Sequence, residues 1–189
     1  MTTLADIFSH KSSSPAIIIP DSGPELSYPQ LFEQIKKFQQ QIIKKCNIEP
    51  QEAIAIVLPN SLEFAITFLA ITLLRNVAAP LNPNYAENEF KFYINDSKSK
   101  VMIVPKGWVQ QNKPAVQAAK SFNAVIFEVA WDNHSQQINL DIKSGNAKGG
   151  NFEERNPYPA DVALLLHTSG TTGRPKGELI KIFYHWLIY

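Results

Sequence analysis

The chain has 189 residues, of which 44% are apolar, and its 18 basic and 17 acidic side chains leave a formal net charge of +1. This length fits one domain or part of a larger one, and this apolar content excludes a globally disordered chain. The balanced charge, without a long basic run, gives no indication of nucleic-acid binding, and the single cysteine, Cys46, excludes a disulfide framework.

From the N-terminus, short apolar runs typical of buried strands alternate with segments whose apolar residues recur at helical spacing. The predicted strands are Ala16–Ile19, Ala53–Leu58, Val77–Leu81, Lys100–Val104, Ala124–Val129 and Val162–Leu166. The predicted helices are Leu4–Ser9, a segment that begins after Ser27 and ends near Lys45, Leu62–Leu74, a segment through Phe90 and Ile94, and Asn112–Lys120. Because parallel strands need crossover connections, this alternation predicts an α/β fold with a layered parallel-type sheet flanked by helices.

Two helix starts carry more specific signals. Ser27 followed by Gln30 fits a capping box, and Asn60 with Glu63 is interpreted as an N-cap pair. Between the last two predicted strands, residues 131–157 are rich in Asn, Gln, Ser, Gly and Lys. This composition predicts an exposed, mobile polar connection within the domain.

The strongest functional signal directly follows the strand Val162–Leu166. Three glycines and a proline between Gly170 and Gly177 exclude a regular helix or strand there. The resulting loop is rich in backbone N–H groups and hydroxyls and contains Lys176, which are the groups that surround a polyphosphate. It is not a Walker A loop, because Pro175 stands where that motif needs its second glycine and Lys176 is followed by Gly177.

The segment Thr168–Gly177 resembles the phosphate-loop signature of the adenylate-forming enzymes, which include acyl-CoA synthetases, luciferases and the adenylation domains of peptide synthetases. The resemblance implies that the loop holds the β- and γ-phosphates of ATP, supplied with Mg²⁺, while a carboxylate attacks the α-phosphorus. The implied phosphate-binding residues are Thr168, Ser169, Gly170, Thr171, Thr172, Gly173, Pro175 and Lys176. In that scheme the hydroxyls donate to phosphate oxygens, and the glycines let the backbone approach the phosphates. The proline stiffens the loop, and the lysine neutralises phosphate charge.

Leu58–Phe64 resembles the first helix entry of the same family, and Ala78–Tyr85 and Phe90–Ser97 are similar to its oxalate–CoA ligase branch of plants and fungi, which is often peroxisomal. The resemblance implies an ATP-dependent acid–CoA ligase with CoA as co-substrate and a small-molecule carboxylate as partner. It also implies an intracellular location, cytoplasmic or peroxisomal. No stretch approaches the ~18 apolar residues of a membrane-spanning helix.

The resemblance ends after Gly177. We therefore expect residues 1–177 to be the incomplete N-terminal portion of an adenylate-forming large domain and residues 178–189 to be a divergent tail. The family's downstream motifs, including its catalytic lysine on a small C-terminal domain, are not found, so we assign no catalytic residue and expect this chain alone to be inactive. His167 is interpreted as a spacer, and the four histidines show no metal-ligand spacing.

Two alternatives remain open beside the ligase hypothesis. The chain is a non-catalytic fragment that binds nucleotide or docks on a partner, or it is a truncated gene-model product without activity. Pyrophosphate release separates the ligase from both alternatives, and a specific protein partner separates the two alternatives from each other.

Overall fold

The computed structural model describes residues 4–8, 13–21, 23–168 and 176–181. Its helices are a 3₁₀ helix (Leu4–Phe8), α1 (Tyr28–Lys45), α2 (Leu62–Leu73), α3 (Glu87–Ser97) and α4 (Pro114–Ser121). Its strands are β1 (Pro15–Ile18), β2 (Glu25–Ser27), β3 (Ala53–Ile56), β4 (Val77–Pro80), β5 (Val101–Pro105), β6 (Val125–Asp132), β7 (Gln137–Ser144), β8 (Val162–Thr168) and β9 (Lys176–Lys181). Every helix and strand predicted from the sequence is present, with ends that differ by a few residues.

The main sheet has seven strands in the order β7-β6-β5-β3-β4-β8-β9, and β1 pairs with β2 in a separate small sheet. The five central strands run parallel to one another, as the alternation of strands and helices predicts. The two outer strands, β7 and β9, run antiparallel to their neighbours. The α/β prediction is thus confirmed, and the sheet is mixed rather than purely parallel.

Helices cover both faces of this sheet because successive side chains of a strand point to opposite faces. Ile54 and Ile56 of β3 pack in the core that includes α1 and α2. Ala55 and Val57 pack in the core that includes α3 and α4. All four side chains are fully buried, which explains why β3 is a continuous apolar run.

The two predicted helix starts have different outcomes. At α1 the Ser27 backbone N–H donates to Gln30 Oε1 at 2.8 Å, so the capping interaction is confirmed. At α2 the assignment of Asn60 as N-cap was wrong by one residue. The cap is Ser61, whose hydroxyl oxygen accepts from the Phe64 N–H at 3.2 Å, and Glu63 instead accepts from the Trp131 N–H at 3.0 Å.

The interpretation of residues 131–157 as an exposed connection was wrong for its first half. Gln137–Ser144 forms β7, and Ile138 and Leu140 are 1% exposed while Asn139 between them is exposed. This alternation is that of a strand with one buried face, set among polar neighbours that concealed it. The outer backbone edge of β7 is covered by α1, since Gln34 and Gln41 accept from the N–H groups of Ile138 and Leu140 at 3.0 and 2.9 Å.

The following stretch is also held by backbone hydrogen bonds. The Asn47 N–H donates to the Lys148 carbonyl at 2.7 Å, and the Gly150 N–H donates to the Ile43 carbonyl at 2.8 Å. Residues 148–150 therefore lie against the C-terminal end of α1, and the glycine at 149 is needed because a Cβ there would lie 2.0 Å from the Lys44 carbonyl oxygen.

Candidate functional site

The glycine-rich loop joins β8 to β9, and these two strands form an antiparallel hairpin. Thr168, the last residue of β8, pairs with Lys176, the first residue of β9. The backbones of the first and last predicted phosphate-binding residues therefore lie side by side at the base of the loop. The other members, Ser169, Gly170, Thr171, Thr172, Gly173 and Pro175, lie outside the described residues.

The hairpin emerges at the carboxyl edge of the parallel strands. Leu164 of β8 pairs with Ala78 of β4 in parallel register, and β4 pairs in the same way with β3. The carboxyl ends of β3, β4 and β8 consequently share one edge of the sheet. Ligands of open α/β sheets bind outside this edge, so the loop starts where a phosphate site is expected in such folds.

His167, interpreted as a spacer, has specific partners at the base of this hairpin. Its Nε2 lies 2.9 Å from Oδ2 of Asp96 on α3, and its side chain is only 3% exposed. Its ring also packs on Tyr93, one turn earlier in α3, with 4.6 Å between the ring centroids. The spacer interpretation was therefore wrong. Sequence reasoning had no signal for this contact because Asp96 and His167 are 71 residues apart.

The aromatic environment of His167 extends to the segment before α3. Tyr85 stacks on Tyr93 with 5.0 Å between the ring centroids. Burial and a hydrogen bond with Tyr85 raise the pKa of Tyr93 to about 12. The phenol therefore stays protonated at neutral pH and contributes no charge beside the imidazole.

An ion pair lies at the opposite end of β8. Arg75, in the turn after α2, donates from Nε and Nη2 to the two carboxylate oxygens of Asp161 at 2.8 and 3.1 Å. Burial raises the pKa of Asp161, but the Arg75 guanidinium and the Tyr158 N–H outweigh that effect and hold the pKa below its ordinary value. The Val162 N–H, at the start of β8, donates to Gln51 Oε1 at 2.9 Å. Both ends of β8 are thus fixed by side-chain contacts to neighbouring elements.

The described part of the chain contains no group of three or more His, Cys, Asp or Glu side chains placed to hold a metal ion. Among the four histidines, His134 lies in the turn between β6 and β7, far along the sheet from His167, and His10 and His185 fall outside the described residues. Within the described segments, no helix combines the length and apolarity needed to cross a bilayer.

The first residues after the motif continue the hairpin. Glu178–Lys181, which the sequence assigns to a divergent tail, belong to β9. Leu179 is 66% exposed and Ile180 is 38% exposed. Among the described residues, β9 pairs with β8 only, so it presents an open strand edge with apolar side chains.

Comparisons with known proteins agree with the sequence signature. The profile of the AMP-binding enzyme family matches residues 7–184. Oxalate–CoA ligase of Saccharomyces cerevisiae is 36% identical over 191 residues, and oxalate–CoA ligase of Arabidopsis thaliana is 34% identical over 152 residues. These alignments cover 87% and 80% of this chain but only 35% and 29% of the two relatives. The chain thus spans about a third of the length of the curated relatives it matches.

A solved structure shows the same fold. ATP-bound MatB from Rhodopseudomonas palustris superposes with a TM-score of 0.72 at 21% sequence identity, over 94% of this chain and 34% of that one. At this identity the likeness concerns the fold alone.

Proposed function

Because this chain belongs to the AMP-binding enzyme family, we propose that its loop from Thr168 to Lys176 binds the β- and γ-phosphates of ATP. In this proposal the threonine and serine hydroxyls and the loop amides donate to phosphate oxygens. Gly170 and Gly173 let the backbone approach the phosphates, Pro175 stiffens the loop, and Lys176 neutralises charge beside Mg²⁺.

One observation supports this proposal more than any other. The pairing of Thr168 with Lys176 closes the loop at the carboxyl edge of the parallel strands. A loop whose ends are fixed side by side loses less conformational entropy when it closes around a ligand than one with free ends. The sequence between those ends supplies hydroxyls and amides in the density that a polyphosphate requires.

For the whole protein to which this sequence belongs, we propose an ATP-dependent acid–CoA ligase. The carboxylate attacks the α-phosphorus of ATP to give an acyl-adenylate and pyrophosphate, and the CoA thiol then displaces AMP to give the thioester. The two oxalate–CoA ligases favour a small dicarboxylate such as oxalate as the acid. Residues 1–177 would form the N-terminal part of the adenylate-forming domain, which leaves the loop as the part of the site that this chain contributes.

The proposed phosphate site is tested by calorimetric titration of the purified chain with ATP·Mg²⁺. We expect the Lys176→Ala variant to bind at least about tenfold more weakly, because a charge-assisted contact to phosphate is lost. Lys181→Ala is the matched control, since Lys181 is an exposed lysine at the far end of the same strand. Equal affinity of the wild type and Lys176→Ala would contradict the proposal, as would an equal loss in both variants.

A second candidate function is a non-catalytic module that docks on another protein. The exposed apolar side chains of Leu179 and Ile180 on the open edge of β9 favour it, because such edges pair readily with another strand. Acid-dependent release of pyrophosphate from ATP by the chain would exclude a purely non-catalytic role.

A further inference from the structure

The base of the glycine-rich loop contacts α3 through His167. His167 directly precedes Thr168 on β8, and its cross-strand partner on β9 is Gly177. These two residues therefore flank the loop on its two sides. The hydrogen bond between His167 Nε2 and Asp96 Oδ2 links this hairpin of β8 and β9 to α3, which lies on one face of the sheet.

The absence of a side chain at Gly177 belongs to the same arrangement. A Cβ at this position would lie 3.3 Å from Asp96 Oδ2, 3.3 Å from Leu165 Cδ1 and 3.6 Å from His167 Nε2. The carboxylate and the imidazole thus occupy the space directly over the β9 backbone. A larger residue at 177 would crowd the carboxylate, so the pair packs over β9 as well as linking β8 to α3.

The hydrogen bond between His167 and Asp96 has a defined donor and a defined acceptor. A carboxylate only accepts hydrogen bonds, so the proton must be on Nε2 of His167. The His167 side chain is 3% exposed, whereas the Asp96 side chain is 46% exposed. Nδ1 of His167 is buried and has no hydrogen-bond partner among the described residues. The ring is therefore oriented by Asp96 on one edge and by the face of Tyr93, and it has little freedom to turn.

We propose that His167, oriented by Asp96, is a positioning residue that fixes the two ends of the phosphate loop against α3. It does not touch the substrate in this scheme. It limits the movement of Thr168 and Gly177. The loop therefore loses less conformational entropy when a polyphosphate binds. The effect on ATP rests on the proposed function of the loop, while the fixing of the hairpin does not.

The test compares the wild-type chain with His167→Leu, which keeps bulk but loses the hydrogen bond, and His167→Gln, whose amide can still donate to Asp96. Backbone hydrogen exchange is followed in residues 166–168 and 176–178 by mass spectrometry. We expect exchange there to be about 3- to 30-fold faster in His167→Leu and within about threefold of wild type in His167→Gln. Asp141→Asn, at an exposed carboxylate on β7, is the control and should leave exchange in these residues unchanged.

The second readout is the dissociation constant for ATP·Mg²⁺, which we expect to rise about 3- to 30-fold in His167→Leu and to be restored in His167→Gln. If His167→Leu matches the wild type in exchange, the positioning role is overturned. If His167→Gln behaves as His167→Leu does, the Asp96 hydrogen bond is not the cause and the proposal also fails.

The two proposals fail in different ways. A wild-type chain that binds no ATP·Mg²⁺ would contradict the proposed function, and hydrogen exchange would then decide the positioning role alone. If exchange changes but affinity does not, the hairpin is fixed without consequence for ATP, and the positioning proposal is overturned for this ligand. Should His167→Leu fail to fold, Asp96→Ala at the half-exposed partner removes the acceptor of the same hydrogen bond and carries the same comparison.

Discussion

Arg75 and Asp161 lie 86 residues apart in sequence and form an ion pair with two hydrogen bonds, of 2.8 and 3.1 Å. The guanidinium also lies over the Tyr158 ring, 3.9 Å from its centroid. Their side chains are only 23% and 12% exposed. This contact joins the turn after α2 to the residue immediately before β8, and so fixes the strand that leads to the phosphate loop.

Replacing Asp161 by Asn should lower the free energy of unfolding by about 2 kcal/mol, because a bidentate, largely buried, charge-assisted contact is lost. Urea denaturation of both proteins measures the difference. Asp141→Asn is the control: Asp141 is 61% exposed and 3.7 Å from Lys45 Nζ, and exposed pairs of this kind contribute little. Equal effects of the two substitutions would show that the Arg75 contact has no special role.

The same pair predicts a pH dependence of stability. The pKa of Asp161 is lower in the folded chain than its ordinary value, so the folded state binds this proton less readily than the unfolded state does. The contribution of the pair is therefore complete above the unfolded pKa of about 4 and is lost as the pH falls through the lower folded pKa. We expect the stability difference between wild type and Asp161→Asn to be constant from about pH 5 to about pH 7, because this range lies above the unfolded pKa. Below about pH 4 we expect the difference to shrink. A difference that grows on acidification has the wrong sign for this explanation.

The edge strand β7 gives a prediction about α1. Gln41 accepts from the Leu140 N–H at 2.9 Å and donates to the Ile138 carbonyl at 3.0 Å, so one side chain satisfies two backbone groups. We expect Gln41→Ala to lower the free energy of unfolding by about 1–3 kcal/mol, since these groups lose their partner. Gln40→Ala on the exposed face of the same helix is the control and should change stability by less than about 0.5 kcal/mol. Unchanged amide exchange in β7 of Gln41→Ala would argue against this role.

The open edge of β9 predicts self-association of the purified chain. Leu179 is 66% exposed on a strand that has one neighbour among the described residues. Leu179→Lys should shift the chain toward monomer at high concentration, because charge on an edge strand opposes pairing with another edge. Sedimentation velocity measures the change, and Glu178→Gln on the same strand is the control. A wild-type chain that stays monomeric at high concentration would contradict the prediction.

Local sequence signals predicted most of the elements of this fold. The apolar runs of β3, β5, β6 and β8 and the helical spacing in α1 and α2 each depend on neighbouring residues only. The alternation of these elements predicted the parallel centre of the sheet, and the Gly-, Thr- and Lys-rich segment after Leu166 predicted a loop with phosphate-binding chemistry. Strand β7 was missed because its alternation is short and polar on one side, and its edge is completed by two glutamines about a hundred residues earlier.

By itself, the sequence determined the family, the α/β class and the place of the loop along the chain, because each follows from patterns among residues that are adjacent in sequence. Only the tertiary structure decided that β9 pairs beside β8, that Arg75 meets Asp161, and that Asp96 meets His167. The two side-chain contacts join segments far apart in sequence, and no local pattern marks their partners as neighbours. Their partners are chosen by strand order and helix packing, which are properties of the whole folded chain.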